Sequence, residues 1–540
     1  MNISNRRILK RIGILFGVLI GILAIAGGYF YSILPKPAGP VPELQHELFT
    51  APKSPNILNG RYLYKSAIEI AGMIRNKEVT SLEVVTDVMN YIKQNNYKYN
   101  ALVWLLEDES KKAAARADSL LAKGILMGPL HGVPITVKEQ FSVAGSYLTL
   151  NAKMIGGFKP EADQALVKQL RNAGAIIIGT TNVPLMLIDY QTQGEIYPTA
   201  SNPYDTTRTP GGSTGGGAAS LAAGFVPLEM GGDMGGSIRV PSAYCGLYGL
   251  KTTELALDTW DQEFPGMKFD TKYATLAVAG PMARTPEDLE LMWNVLKGTP
   301  NKLLKNVTYD YDTSKSLNQY KIAWFDEMKF SSNTIPVHHD IKNKLKNLVD
   351  SLQAHGAVLE KNMPNTFQEQ FKIFIGLMAF TNAYGQPWII RKFIVDGFKK
   401  MGNGPIDLSK SFELAMSQDI NKYNDFIVHR KSIIGEWDKF FQVHDFLICP
   451  VMPMPAIKKC PMGSNIDIDG QEVNYWVTGS YAFMVNATGH PSITIPLGLN
   501  ADGLPIGVQV IGKYFSESQL IHFAKQLKGI TPGFIKPHNL

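Results

Sequence analysis

Two glycine-rich segments of the sequence each contain a serine, and their composition suits covalent chemistry. The first covers residues 211–217 and reads GGSTGGG, and the second covers residues 231–239 and reads GGDMGGSIR. Because glycine costs backbone entropy, this density indicates unusual backbone angles or the close approach of a ligand. A run of unobstructed N–H groups can bind an anion. Ser237 ends such a run, so it is placed as a nucleophile beside donors for an oxyanion. A flexible loop is the alternative for either segment taken alone.

A serine nucleophile needs a base, and Lys138 is a candidate. It follows an apolar stretch, residues 132–137, that is typical of a strand. A lysine at such a position is usually solvated, but a desolvated lysine can lose its proton near neutral pH. Pairing of serine with lysine is a known variant of nucleophilic catalysis.

A rival interpretation uses Ser213 as the nucleophile. Residues 211–215 match the G-x-S-x-G pattern of a nucleophile elbow, for which His490 could serve as the base. That motif needs a strand immediately before it. Residues 204–210 are rich in threonine and proline and make a poor strand, which disfavours this interpretation.

The elements around these segments alternate between strand and helix. Thr80 and Glu83 form a capping-box pattern before a helical repeat, residues 165–172 are helical, and residues 175–179 are a buried strand. This alternation predicts an α/β fold with helices covering a central sheet. Residues 365–441 are mostly helical and rich in aromatic side chains, which are either core or the wall of an acyl-chain pocket.

Composition and charge exclude several classes of protein. The 540 residues are 45% hydrophobic and 19% charged, which excludes disorder as the main state. The net charge is +6, but four basic residues lie within the first eleven positions. The rest of the chain is nearly neutral, so nucleic acid is not an expected partner. Three cysteines without a C-x-x-C pair predict free thiols, with one disulfide as the alternative: Cys245, Cys449 and Cys460.

The amino terminus predicts a membrane anchor. Residues 12–34 contain no charged side chain and are long enough to span a bilayer, and residues 1–11 form a basic tail. The charge rule then predicts a cytoplasmic amino terminus and an exported body. A cleaved signal peptide, giving a secreted or periplasmic protein, is the alternative. Residues 35–60 read as a linker and residues 61–540 as a catalytic domain. Glycines at positions 13, 17 and 21 would allow two anchors to pack as a homodimer.

No metal or nucleotide cofactor is expected. Residues 465–470 resemble the start of a calcium loop, but Trp476 stands where a bidentate glutamate is needed, so a hairpin turning at Asp469-Gly470 is favoured. His338 and His339 have no partners at ligand spacing in the sequence, and no Walker A pattern is present.

Taken together, these segments resemble the amidase signature family. The two glycine-rich segments, residues 241–246 and the lysine strand at 132–138 are similar to its signature, and residues 280–289 and 503–512 match two further blocks. The resemblance runs from about Ser66 to Leu527. It implies the amidase signature fold, a large mixed central sheet with helices on both faces.

The resemblance also implies a role for individual residues. Ser237 would be the acylated nucleophile, Ser213 would lie on a cis peptide bond and relay protons, and Lys138 would be the base. Four backbone N–H groups would bind the oxyanion: those of Met234, Gly235, Gly236 and Ser237. Three side chains would support this arrangement: Thr214, Asp233 and Arg239.

The function implied is hydrolysis of a linear carboxylic amide to an acid and an amine or ammonia. Within the family, the uncharged amino-terminal segment and Lys138-Glu139-x-Phe141 most resemble the fatty acid amide hydrolase branch, so a fatty acid amide is one expected small-molecule substrate. One alternative is an amidotransferase component that feeds ammonia to an acyl acceptor on tRNA, which would need partner subunits. Another is a non-catalytic membrane binding protein, which would lack a catalytic residue.

Overall fold

A computed structural model describes residues 37–52, 60–259, 276–298, 309, 312–330, 333–383, 388, 391–392, 395–396 and 409–538. The predicted tail (1–11), the predicted anchor (12–34) and part of the predicted linker lie outside the described residues.

The centre of the described fold is an eleven-stranded mixed sheet. From one edge to the other its strands are β1 (Leu102–Leu105), β3 (Ile176–Thr181), β2 (Pro134–Lys138), β4 (Leu228–Asp233), β6 (Val278–Ala283), β5 (Tyr248–Lys251), β14 (Ser492–Leu499), β15 (Pro505–Gly512), β11 (Phe446–Pro450), β7 (Lys321–Trp324) and β10 (Val358–Lys361). Two hairpins stand apart from this sheet: β8 (Met328–Phe330) with β9 (Asn333–Ile335), and β12 (Ile466–Ile468) with β13 (Gln471–Val473).

Strand direction changes across the sheet. β2 pairs parallel with both β3 and β4, whereas every neighbouring pair from β4 to β11 is antiparallel. The pairs of β7 with β11 and with β10 are again parallel. Because the parallel strands β2 and β4 run in the same direction, their carboxyl ends, Lys138 and Asp233, lie at the same edge of the sheet.

The α-helices of the described residues connect these strands. They are α1 (Ala67–Arg75), α2 (Ser81–Tyr99), α3 (Glu107–Ala122), α4 (Ala165–Asn172), α5 (Gly215–Ala222), α6 (Arg239–Tyr244), α7 (Pro286–Leu296), α8 (His339–Ala354), α9 (Phe367–Ala383), α10 (Ser409–Met416), α11 (Ile420–Val443), α12 (Tyr475–Thr478), α13 (Ser480–Thr488) and α14 (Glu517–Gln526). Short 3₁₀ helices occur at His46–Leu48, Leu185–Leu187 and Leu317–Gln319.

Both faces of the sheet are covered by apolar side chains. Along β11, Phe446 and Ile448 belong to one hydrophobic cluster, whereas Leu447 and Cys449 belong to another. Since successive side chains of a strand point to opposite faces, the two clusters lie on opposite sides of the sheet. The predicted α/β fold with a covered mixed sheet is confirmed.

Most predicted elements are present with small changes at their ends. The predicted helix at 165–172 is α4, and the strand predicted at 132–137 is β2, which begins at Pro134 and includes Lys138. The Thr80 hydroxyl caps α2 by accepting a hydrogen bond from the Glu83 N–H at 3.1 Å. The predicted hairpin is β12–β13, whose two turn residues, Asp469 (φ 51°) and Gly470 (φ 82°), are both left-handed. The three cysteines are free thiols, as expected.

The predicted membrane anchor requires a correction. Among the residues that the structure describes, no helix is both long and apolar enough to cross a bilayer. This finding contradicts the prediction of a single-pass protein with an exported body, together with its alternative of secretion, and both are withdrawn. An uncharged run supplies only the length of a span. A span also needs a helix that pairs its own backbone groups, and the described residues contain none of that kind.

Candidate active site

Lys138 is positioned by the most enclosed part of the sheet. All five residues of β2 are buried, because β3 and β4 flank the strand and helices cover both of its faces. The lysine is 1% exposed. Its Nζ lies 2.8 Å from Ser213 Oγ and donates to the Gly232 carbonyl at 3.0 Å. The apolar strand therefore delivers a desolvated amine to a serine hydroxyl.

The surroundings of Lys138 favour its neutral form. Burial lowers the pKa of Lys138 to about 7, against the opposing influence of the Asp233 and Glu229 carboxylates. Glu229 lies on the neighbouring strand, and burial raises the pKa of its own carboxyl to about 8. It accepts a hydrogen bond from the Thr181 hydroxyl at 2.7 Å. A neutral amine at hydrogen-bond distance from a hydroxyl can accept its proton.

Ser213 lies in a turn that only glycine neighbours permit. The Gly212–Ser213 peptide bond is cis. A Cβ added to Gly212 would lie 2.4 Å from the Asp189 carbonyl oxygen. Gly211 has a φ of 91°, and its carbonyl accepts a hydrogen bond from the Thr192 hydroxyl at 2.8 Å. The glycines of this segment are therefore explained by close packing, and the predicted alternative of a flexible loop is not what the structure shows.

The glycines that follow Ser213 begin a buried helix. Every residue of α5 is buried, although its first three residues are glycine, a poor helix former. A Cβ on Gly216 would lie 2.3 Å from the Asn182 nitrogen, and one on Gly217 would lie 2.4 Å from a Glu229 carboxylate oxygen. Close contact with the sheet thus overrides intrinsic propensity and places Ser213 beside Lys138.

Ser237 lies in the turn between β4 and α6. It is partly exposed, whereas Lys138 and Ser213 are buried. The Thr214 N–H donates to the Ser237 carbonyl at 3.1 Å, and the Thr214 hydroxyl donates to the Gly232 carbonyl at 3.3 Å. These bonds join the two serine segments, so the three predicted catalytic residues lie in one site that opens at Ser237.

A buried ion pair supports the Ser237 turn. The Asp233 carboxylate receives Nε and Nη2 of Arg239 at 3.0 and 2.9 Å, and both side chains are 0% exposed. Burial alone would raise the pKa of Asp233, but the Arg239 guanidinium holds that pKa well below its usual range. The same carboxylate accepts the N–H groups of Gly236 at 2.9 Å and Ile238 at 3.1 Å. Asp233 therefore fixes the backbone on both sides of Ser237.

The predicted set of oxyanion donors is revised at one position. The Gly236 N–H already donates to Asp233, so it holds the turn and is not free to bind an oxyanion. Within the described residues, the N–H groups of Met234, Gly235 and Ser237 have no hydrogen-bond acceptor. Gly236 has a φ of 111°, and a Cβ there would lie 2.6 Å from the Ala482 Cβ. Glycine is needed at this position for backbone geometry.

Several supporting residues could not be found from the sequence. Arg239 Nη1 donates to the Gln509 side chain at 2.8 Å, and Asn486 Nδ2 donates to Asp233 at 3.0 Å. Both partners lie more than 240 positions away in the sequence from the groups that they contact. Their only signal is a polar residue within an otherwise apolar element, β15 or α13.

Aromatic side chains border the oxyanion turn. A Cβ on Gly235 would lie 3.0 Å from Phe483 and 3.1 Å from Phe374, whose rings stack with centroids 4.3 Å apart. The Tyr190 hydroxyl donates to the Gly235 carbonyl at 3.3 Å. We call Tyr190, Phe374 and Phe483 the aromatic wall. Helix α9, from the stretch predicted to be rich in aromatics, contributes one member of it.

His490 does not act on Ser213 in this arrangement. It is fully buried among the rings of Trp437, Phe441 and Tyr514. Ser213 has Lys138 as its hydrogen-bond partner instead. The nucleophile-elbow interpretation therefore has no structural support.

Sequence comparison assigns the family. The Amidase family model matches residues 83–521, so the chain belongs to the amidase signature family and is an enzyme that acts on linear amide bonds. A glutamyl-tRNA(Gln) amidotransferase subunit of Alkaliphilus metalliredigens is 30% identical over 84% of this chain and 93% of its own length. Its namesake from Staphylococcus saprophyticus is 29% identical over 86% of this chain and 96% of its own length.

Solved structures show the same fold. A bacterial aryl acylamidase of the amidase signature family has a TM-score of 0.71 and 22% identity, covering 87% of this chain and 97% of its own. Fatty acid amide hydrolase has a TM-score of 0.67 and 21% identity, covering 87% and 86%. At these identities the likeness establishes the fold, and it does not assign the chain to one branch of the family.

Proposed function

We propose that the protein hydrolyses an amide through an acyl-enzyme on Ser237, with Lys138 as the base and Ser213 as the relay. The observation that carries this proposal is the 2.8 Å approach of Lys138 Nζ to Ser213 Oγ inside a fully buried strand end. A charged, solvated lysine could not accept a proton, whereas burial lowers the pKa of this one to about 7.

The first half of the reaction forms the acyl-enzyme. Lys138 takes the proton of Ser213, Ser213 takes that of Ser237, and the Ser237 oxygen adds to the amide carbonyl. The carbonyl oxygen becomes an oxyanion facing the N–H groups of Met234, Gly235 and Ser237. The C–N bond then breaks while the proton returns through the relay to the leaving nitrogen.

The second half releases the acid. Water enters at the partly exposed Ser237 and gives a proton to the same relay as it attacks the ester carbonyl. The Ser237 oxygen leaves, recovers a proton from Ser213, and the neutral lysine is restored. Asp233 and Arg239 take no part in proton transfer, because their mutual hydrogen bonds use the carboxylate and hold the turn.

The aromatic wall supports a substrate with an apolar acyl group. Phe374 and Phe483 approach Gly235, which lies between two of the proposed oxyanion donors. A substrate whose carbonyl reaches those donors would place its acyl group beside these rings, where burial of apolar surface is favourable. Amides of aryl or fatty acids are therefore the proposed substrates, and acetamide-like amides are the expected poor ones.

The first experiment tests nucleophile and substrate together. Purified protein is assayed on primary amides from acetyl to oleoyl and on benzamide, with Ser237→Ala as the blank and the exposed Ser314→Ala as the matched control. Mass spectrometry of protein stopped during turnover should locate the acyl group on Ser237. Full activity in Ser237→Ala would overturn the assignment, and equal rates on all acyl groups would overturn the substrate class.

A second candidate function is that of an amidotransferase component. It is supported by relatives with that name at 29–30% identity over most of both chains. This function predicts partner subunits and release of ammonia from glutamine. Native purification at the endogenous level, followed by a glutamine hydrolysis assay, tests it. A glutaminase that depends on co-purified subunits would favour this candidate over the stand-alone amidase.

A further inference from the structure

Two adjacent histidines meet an aspartate from a distant part of the chain. His338 and His339 begin α8, and Asp469 lies at the tip of the β12–β13 hairpin, 130 residues beyond His339. His339 Nδ1 lies 2.9 Å from Asp469 Oδ1, and His338 Nε2 lies 3.4 Å from the same oxygen. The two imidazole rings stack with centroids 4.4 Å apart.

The backbone that carries these groups is held in place. The His338 N–H donates to the Pro453 carbonyl at 2.8 Å, and the His339 N–H donates to Asp469 Oδ2 at 2.8 Å. Ile341 and Ile468, close to the histidines and the aspartate in sequence, are buried in the same hydrophobic cluster. The three side chains are thus presented by fixed elements, which a ligand site requires.

A second carboxylate lies behind the histidine rings. Asp340 Oδ1 is 3.4 Å from His339 Nε2, and Asp340 Oδ2 accepts a hydrogen bond from Asn500 at 2.9 Å. A carboxylate on the far nitrogen of an imidazole is the usual means of orienting a histidine that binds a metal through its other nitrogen. His339 is therefore flanked by one carboxylate on each ring nitrogen.

We propose that His338 Nε2, His339 Nδ1 and the Asp469 carboxylate bind a divalent transition-metal ion of the zinc class. All three groups offer ligand atoms within 4.8 Å of one another. Bond lengths of about 2.0–2.2 Å in a tetrahedral site place neighbouring ligand atoms about 3.4 Å apart, close to the two distances found. Imidazole nitrogens select zinc, nickel or copper, whereas Mg²⁺ and Ca²⁺ prefer oxygen ligands alone. Water would complete the coordination, since His339 is exposed.

Metal binding is balanced by one change of tautomer. His338 Nδ1 accepts a hydrogen bond from the Asp340 N–H at 3.2 Å, which leaves the ring proton on Nε2. Coordination through Nε2 moves that proton to Nδ1, where Asp340 Oδ2 lies 3.6 Å away. The lost cap and the new contact involve the same residue. His339 keeps its proton on Nε2, facing Asp340.

The ion would tie α8 to the hairpin that leads into the active-site helices. After the hairpin the chain enters α12 and α13, where Tyr475 hydrogen bonds to Asp189 and Asn486 bonds to Asp233. Because an ion that binds only the folded chain stabilises it by mass action, the melting temperature should rise with metal concentration. This proposal does not depend on the amidase mechanism.

Cobalt(II) titration of the full-length, metal-free protein tests the site. We expect one equivalent to produce a visible d–d absorption without a thiolate charge-transfer band, and zinc(II) to displace it. His339→Gln and Asp469→Asn should each weaken binding by at least about tenfold. His429→Gln on α11 is the matched control, because that histidine is exposed and hydrogen bonds to a carbonyl of its own helix.

Two results would overturn the proposal. One is the absence of saturable cobalt or zinc binding in wild-type protein, and the other is wild-type affinity in both site variants. Circular dichroism of the metal-free variants shows whether they fold. If either variant unfolds, His338→Gln, scored by loss of the zinc-dependent rise in melting temperature, decides the question. Equal stabilisation by Ca²⁺ would overturn the assignment to the zinc class.

Discussion

Lys138 and Lys251 are two buried lysines on strands of the same sheet, and only one of them is suited to catalysis. Both are 0–1% exposed. Burial lowers the pKa of each to about 7, with the Arg239 charge contributing at Lys251. Lys138 Nζ meets a serine hydroxyl, whereas Lys251 Nζ donates to the carbonyls of Thr252 at 3.0 Å and His490 at 2.7 Å. A carbonyl oxygen has no proton to give.

The difference shows that a lowered pKa identifies candidates and that the contacting atom decides the role. Lys251 satisfies two carbonyl groups between β5 and β14 and so has a structural role. Lys138 uses one carbonyl for orientation and keeps the hydroxyl of Ser213 as its reaction partner. Asp233 influences both, since its negative charge raises the pKa of each lysine.

Replacing Lys138 should have the largest effect. Lys138→Ala removes the base, so kcat/KM should fall by about 10²–10⁴. The rate that remains should no longer depend on a group with a pKa near 7. Steady-state kinetics between about pH 5 and pH 9 measure both. Wild-type activity in this variant would remove the distinction between the two lysines.

Replacing Asp233 should destabilise the fold. Asp233→Asn leaves Arg239 buried without its counter-charge, which should lower the free energy of unfolding by about 3–5 kcal/mol. Urea denaturation measures this loss. The control is Asp350→Asn, because Asp350 pairs with Lys346 on an exposed helix face, and a change of about 0–1 kcal/mol is expected there. Similar losses in the two variants would contradict the role given to Asp233.

Replacing Lys251 should affect stability rather than chemistry. Lys251→Met leaves the Thr252 and His490 carbonyls without this donor, so the free energy of unfolding should fall by about 1–3 kcal/mol. The midpoint of the pH–rate profile should stay where it is in the wild type. A shifted midpoint in soluble, folded Lys251→Met would show that the second lysine also takes part in proton transfer.

The pH dependence sharpens the comparison further. The base must be neutral, and Lys138 becomes protonated as the pH falls below its pKa of about 7. The value of kcat/KM should therefore rise about tenfold per pH unit below that point and level off above it. In folded Asp233→Asn protein the midpoint should move to lower pH, because a charge that raises the lysine pKa is gone. A flat wild-type profile would argue against Lys138 as the base.

Prediction from the sequence was strongest where short segments carry several constraints at once. The glycine-rich segments and the lysine strand identified the three residues that the structure brings together. Prediction was weakest for groups contributed from afar. Gln509 and Asn486 support the Asp233–Arg239 pair through contacts that no spacing reveals. The assignment of Gly236 as a free oxyanion donor failed for a related reason, because the Asp233 side chain folds back onto its N–H.

The histidine pair shows the same limit. His338 and His339 have no ligand partner at a suitable spacing, and only the hairpin brings Asp469 to them. The membrane prediction failed because an uncharged run is not itself evidence of a spanning helix, and none exists among the described residues.

The sequence by itself determined the family, the alternation of strands and helices, and the glycine turns around Ser213 and Ser237. Each depends on local backbone freedom or on hydrophobic periodicity, which neighbouring residues encode. The tertiary structure decided which buried lysine touches a hydroxyl, which N–H groups remain free, and which aromatic rings border Gly235. These properties depend on atoms that lie hundreds of residues apart in the chain and meet only when the sheet and its covering helices pack.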